Sequence, residues 1–92
     1  MLEIHPTSRF KKDMKRIQKR GWNIALINDV INTLAAEKPL EEKHHDHQLK
    51  GDKKDFRECH IAPDWLLIYQ VADEKLILTL SRTGTHDELD LE

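Results

Sequence analysis

Three histidines, an aspartate and an arginine (His47, His60, Asp64, Arg82 and His86) fall on, or at the ends of, strand-like runs that one sheet can gather. Imidazoles beside a guanidinium and a carboxylate are the parts for acid–base catalysis on a phosphodiester. One group takes a proton, a second returns one, and the guanidinium offsets developing negative charge. Histidine suits this work because its unperturbed pKa of ~6.5 keeps both protonation states accessible near neutral pH. A lone strand histidine is usually just solvated; the grouping sets these apart. The run His44-His45-Asp46-His47 suggests a metal site, but a closed zinc site takes four ligands at recognisable spacing. Only Cys59 and His60 extend the run, so the sequence points to chemistry without a metal or other cofactor. Cys59 has no evident activating partner and reads as core. Trp65, Tyr69 and Phe56 could stack on bases, but two of the three must also build the core: Tyr69 reads as core, and Trp65, beside Pro63-Asp64 at a strand start, stays open.

The elements that must position these residues are legible in the pattern. Leu2 to His5 alternates like a short strand, and Pro6-Thr7-Ser8 closes it with a helix cap. Phe10, Met14 and Ile17 make a narrow apolar stripe on a helix reaching about Arg20 and stopped by Gly21. A second helix fits Asn23 to about Glu37, with Ile24, Ile27, Ile31 and Leu34 inward and Pro39 beyond it. Residues 40–55 read as a polar loop. Strands follow at Phe56–Ala62, Trp65–Ala72 and Lys75–Ser81, the middle one apolar on both faces and so central. Alternation puts Phe56, Glu58 and His60 on one face and Arg57, Cys59 and Ile61 on the other, toward the helices. The order β-α-α-β-β-β predicts an α+β fold, two helices packed on one face of a small antiparallel sheet.

Composition bounds the possibilities. Ninety-two residues make one domain, 1–92. The chain is 38% apolar and 35% charged, a thin core under a charged surface. Its longest apolar run, Trp65 to Tyr69, falls far short of the ~18 residues a membrane span needs. With no signal-like start and a single cysteine, the cytoplasm is the expected compartment. The net charge of −2 hides an asymmetry: residues 1–22 hold seven basic and two acidic side chains, residues 83–92 four acidic and none basic. The basic helix, with Lys11, Lys15 and Lys19, is a face suited to RNA phosphates.

The ordered set Asp46-His47-Gln48-Leu49-Lys50-Gly51, then Phe56 to Tyr69, then Arg82-Thr83-Gly84-Thr85-His86 resembles the YafQ-type branch of the RelE/ParE toxin superfamily, and the likeness spans nearly the whole chain. The resemblance implies a RelE-like fold and the toxin of a type II toxin–antitoxin pair. It implies a ribosome-dependent endoribonuclease that cuts mRNA in the A site without a metal, the 2′-OH attacking the adjacent phosphate. The matching positions are His47, His60, Asp64, Trp65, Arg82 and His86. Implied partners are a DinJ/RelB-like antitoxin, the ribosome and its mRNA, and operator DNA only through the antitoxin complex; no membrane is involved. Where the family usually has a C-terminal aromatic, this chain has Asp90. A second reading is a ParE-like toxin that inhibits DNA gyrase by binding, a mode with no need of the three histidines.

Overall fold

In the computed structural model, which describes residues 1–89, side chains begin both long helices. Thr7 Oγ1 accepts the Phe10 N–H at 3.1 Å and starts α1 (Ser8–Lys19). Asn23 Oδ1 accepts the Ala25 N–H at 3.1 Å and starts α2 (Ile24–Ala35). Gly21, at φ 76°, takes the left-handed turn between them. The strands are β1 (Glu3–Pro6), β2 (His47–Gln48), β3 (Arg57–Ala62), β4 (Trp65–Ala72) and β5 (Ile77–Gly84), with a short α3 (His86–Leu89) last. Among the described residues no helix is long and apolar enough to cross a membrane.

The sheet order is β1-β5-β4-β3-β2, with β4 in the centre. The α+β architecture and the helix–helix–strand order agree with the sequence reading, and three details correct it. The sheet is mixed, because β1 pairs with β5 in parallel while the other pairs are antiparallel. Parallel pairing requires a long crossover, which the helices and later strands supply. The polar loop contains the two-residue strand β2, too short to show any periodicity, which puts His47 opposite Glu58. The last strand begins later and runs to Gly84, since Asp73–Lys75 form a 3₁₀ turn and Thr83 and Gly84 pair with Leu67 and Leu66.

Beside β4 the register of β5 passes from Leu80 opposite Tyr69 to Arg82 opposite Ile68, skipping Ser81. This bulge reverses the phase of the strand. Leu78 and Leu80 join the main core with α1 and α2, and strict alternation would have sent Arg82 there too. Instead Thr83 faces the core, and Arg82 joins Ile68 and Glu58 on the opposite face. That second face carries its own small cluster of Leu66, Ile68 and Leu89, with Leu49 and Phe56 against it.

Short α3 is held by a capping box. Thr85 Oγ1 accepts the Glu88 N–H at 3.2 Å, and Glu88 Oε1 accepts the Thr85 N–H at 2.9 Å. Glu88 also pairs with Arg16 Nε at 2.7 Å and with Arg20, clamping α3 to α1. The Arg20 hydrogen bond, against a burial penalty and with help from the Thr85 N–H and Arg16, pulls the Glu88 carboxyl down to about 2. Its unfolded value is ~4.3. The clamp's contribution is therefore full above that value and is lost as the pH falls toward 2. Urea unfolding should show wild-type stability falling between about pH 5 and pH 2 more steeply than that of Glu88→Gln. Equal slopes would mean that the clamp holds nothing.

Candidate active site

The site is laid out in rows across the sheet. His47, Glu58, Ile68 and Arg82 are successive cross-strand partners on β2, β3, β4 and β5, and His60, Leu66 and Gly84 form the next row. With strands ~4.8 Å apart, Glu58 and Arg82 lie roughly 10 Å apart across Ile68. His86 then follows β5 at the start of α3. Its backbone N–H and its ring Nδ1 both reach Asp64 Oδ1, at 3.1 and 2.8 Å. Asp64 lies in the two-residue turn between β3 and β4, so the tight turn that reverses the sheet also anchors the last histidine.

His60 is the centre of the group. Its ring meets His45 at 5.5 Å and His86 at 5.7 Å between centroids, both edge-on. Below it lies the Glu58 carboxylate, 8% exposed, whose Oε1 is 3.7 Å from His60 Nε2 and 3.4 Å from His47 Nε2. Burial holds His60 below the ordinary imidazole range; Glu58 opposes that shift, and His45, His86 and His47 add to it. His60 is thus largely neutral at pH 7. The ring of His86 pulls the Asp64 carboxyl down, aided by the His86 backbone N–H and opposed slightly by burial. Asp64 therefore remains a carboxylate that orients His86 Nδ1–H and leaves Nε2 for proton exchange.

Arg82 is held by a residue outside the sequence-derived set. Asp13 on α1 is 2% exposed. It accepts from Arg82 Nε at 2.7 Å, Arg82 Nη2 at 3.1 Å, Arg16 Nη2 at 3.0 Å and the Thr83 N–H at 3.1 Å. Burial disfavours the charged form of Asp13, but these donors outweigh it and hold the carboxyl below its usual range. Asp13 thus takes up part of the Arg82 guanidinium's donor set. The Nε–Nη2 edge of that guanidinium is committed to Asp13, while Nη1 takes no part in that pairing.

Trp65, open in the sequence and carried by the resemblance as a site position, is corrected from a substrate-binding residue to a core one. It is 3% exposed, its indole N–H donates to Thr83 Oγ1 at 2.9 Å, and its ring packs 5.1 Å from Trp22. Buried in this way, it offers no face to a base and instead fastens the site's end of β4 to β5. Lys11, Lys15 and Lys19 stand exposed on α1, as the helical pattern implies. Cys59 is fully buried, and burial pushes its thiol up to about 12, so it is no nucleophile. Asp90 lies outside the described residues.

Sequence reasoning passed over Asp13, Glu58 and His45 as site residues. Asp13 interrupts a basic helix next to the apolar stripe, and Glu58 shares the strand face of His60; both signals were present. His45 reaches the cluster through a left-handed backbone at φ 47°, which nothing in the residue type announces. Among the described residues no three His, Cys, Asp or Glu side chains stand close enough to hold a metal ion.

Residues 2–91 match the family model described as the bacterial toxin of the type II toxin–antitoxin system, YafQ. The chain is 35% identical over 88 residues to the mRNA interferase toxin YafQ of Escherichia coli K12, covering 95% of this chain and 94% of that one. Its fold is similar to that of a metal-bound toxin from Helicobacter pylori, with 47% identity, TM-score 0.92 and coverage of 97% and 99%. It is also similar to a chain of the E. coli DinJ–YafQ complex, with 34% identity, TM-score 0.89 and coverage of 97% and 98%.

Removing the Asp13 carboxylate would leave Arg82 and the buried Thr83 N–H without their partner. Asp13→Ala should destabilise the fold by about 3 kcal/mol in urea unfolding, the cost of breaking a buried pair from one side. A loss below about 0.5 kcal/mol would show that Asp13 does not organise this corner.

Proposed function

The chain belongs to the bacterial YafQ toxin family of type II toxin–antitoxin systems, and on that premise we propose that it is a ribosome-dependent endoribonuclease that cuts mRNA in the ribosomal A site by acid–base chemistry without a metal. The observation that supports this most is the pairing of a neutral, half-buried His60 with a carboxylate-oriented His86 at 5.7 Å between ring centroids. Two imidazoles with different surroundings are suited to opposite proton transfers.

His60 takes the proton of a substrate 2′-OH. The O2′–P bond forms as the P–O5′ bond breaks, and His86 Nε2 returns a proton to the departing 5′-oxygen. The products are a 2′,3′-cyclic phosphate and a 5′-hydroxyl end. Asp64 holds the His86 ring in register, and His47 and Glu58 complete the polar wall beside His60. Arg82, fixed by Asp13, offers its Nη1 edge to the charge that builds on the phosphoryl oxygens. The exposed Lys11, Lys15 and Lys19 hold ribosomal RNA through phosphates, which sets position and carries no sequence information. A DinJ/RelB-like antitoxin in the cytoplasm neutralises the toxin, its acidic segment meeting the lysines that Glu88 leaves uncovered. A gyrase-binding mode leaves the imidazole cluster without a use.

His60→Ala, His86→Ala and Arg82→Ala should each slow cleavage of mRNA on programmed ribosomes by ~10²–10⁴-fold while keeping native circular dichroism. Cleavage by wild type should survive chelation of transition metals. Full activity in the His60→Ala/His86→Ala double variant, or its loss on chelation, would overturn the assignment.

In a separate variant, neutralising Lys11, Lys15 and Lys19 should weaken ribosome binding and lower its salt dependence by about 0.7 per lost contact, with cut positions unchanged. Shifted cut sites would contradict a role limited to phosphates.

A further inference from the structure

The sheet face that carries the imidazoles continues beyond Glu58 into a cleft of about 360 Å³, of which the reaction above uses only Arg82. Phe56, Ile68 and Leu89 give it an apolar lining, and Arg9, Lys53 and Arg82 bring three cations to it. No acidic side chain lines it among the described residues. Arg82 is matched by Asp13, whereas Arg9 and Lys53 have no ion-pair partner among the described residues. Two uncompensated cations, Arg9 and Lys53, beside an apolar hollow repel one another unless an anion joins them. The shape and charge suit a ligand with a flat apolar part and an anionic part, which is the chemistry of a nucleotide.

We propose that this cleft is a nucleotide subsite for the RNA chain, rests on the ribonuclease reading above, and receives one base against Phe56 while Arg9 and Lys53 grip the flanking phosphate. Its position favours RNA over an acidic peptide. Ile68 and Arg82 belong both to the cleft and to the row that runs through Glu58 and His47. Phe56 stands four residues before His60, roughly 13 Å back along an extended strand. A base seated there is a short step along the same chain from a phosphate at His60 and His86. Phe56 therefore becomes a residue that selects or steadies a neighbouring nucleotide, and Arg9 and Lys53 become contacts to the backbone of that nucleotide.

Binding of a 2′-O-methyl RNA trinucleotide, which cannot be cut, to the wild-type chain tests this by NMR, with inorganic phosphate and a hexaglutamate peptide as the other probes. The trinucleotide should shift the resonances of Phe56, Ile68 and Leu89. Arg9→Gln/Lys53→Gln should weaken its binding about tenfold and reduce the salt slope by about 1.4. Phe56→Leu, which keeps the apolar packing, should weaken the trinucleotide and leave phosphate binding as it was. On programmed ribosomes Arg9→Gln/Lys53→Gln should raise KM and leave kcat in place. A wild type that cuts mRNA beside an Arg9→Gln/Lys53→Gln variant with the same KM would overturn the subsite and leave the reaction standing. A wild type that cuts nothing on ribosomes would instead overturn the reaction. Hexaglutamate shifting the same resonances more strongly than the trinucleotide would overturn the RNA assignment in favour of a protein partner.

Discussion

A single buried carboxylate, Asp13, ties the helical layer to the sheet at the point where the sheet has no neighbouring strand. β1 ends at Pro6 opposite Leu80, so the outer edge of β5 beyond that point lacks a strand partner. Helix α1 replaces it with side chains. Thr7 Oγ1 donates to the Ser81 carbonyl at 2.9 Å, and Asp13 accepts the Thr83 N–H. A buried backbone N–H without a partner is costly, so this carboxylate does for β5 what another strand would otherwise do. Because Asp13 also binds Arg82 and Arg16, the same group fixes the guanidinium at the site and the clamp on α3. Its desolvation is tolerable only because every lone pair facing the interior finds a donor.

The bulge at Ser81 is the second constraint, and it works together with the first. By reversing the phase of β5 it places Thr83 under Trp65 and Arg82 beside Ile68, so one inserted residue separates the structural from the chemical side of the strand. Gly84 comes next, with a Cβ there only 2.9 Å from Glu88 Oε1. The side chain is absent where the clamp passes close to the backbone. Trp65, Thr83, Gly84 and Glu88 thus hold His86 in place without touching a substrate.

The charge asymmetry along the chain also acquires a physical reading. Within the acidic stretch, Glu88 partners the basic helix inside one molecule, taking up Arg16 and Arg20. What remains outward on α1 is Arg9 and the lysines, the latter flexible and well-hydrated cations suited to loose phosphate contacts. Arg16 and Arg20 do structural work, and the lysines face the solvent. The imidazole cluster shows a similar division. Glu58 is buried where it faces two histidines, His60 is partly buried and kept neutral, and His86 is exposed on a carboxylate.

Local signals carried much of this in the sequence alone. Thr7 and Asn23 as caps, Gly21 as a stop, the apolar stripes of both helices and the doubly apolar central strand each follow from residue types a few positions apart. So did the family likeness and most of the titratable set. The rest depended on contacts between distant parts of the chain. A two-residue strand such as β2 exists only because β3 offers an edge, and the parallel partner of β1 lies more than seventy residues away. Arg82 changes face because of a bulge that alternation cannot reveal, and Trp65 is buried because Trp22 and Thr83 close over it. Residue order determined which helices and strands form, because their periodicity is local. Tertiary structure decided which side chains reach substrate, because burial, register and the partner of each charge are settled only when the layers meet.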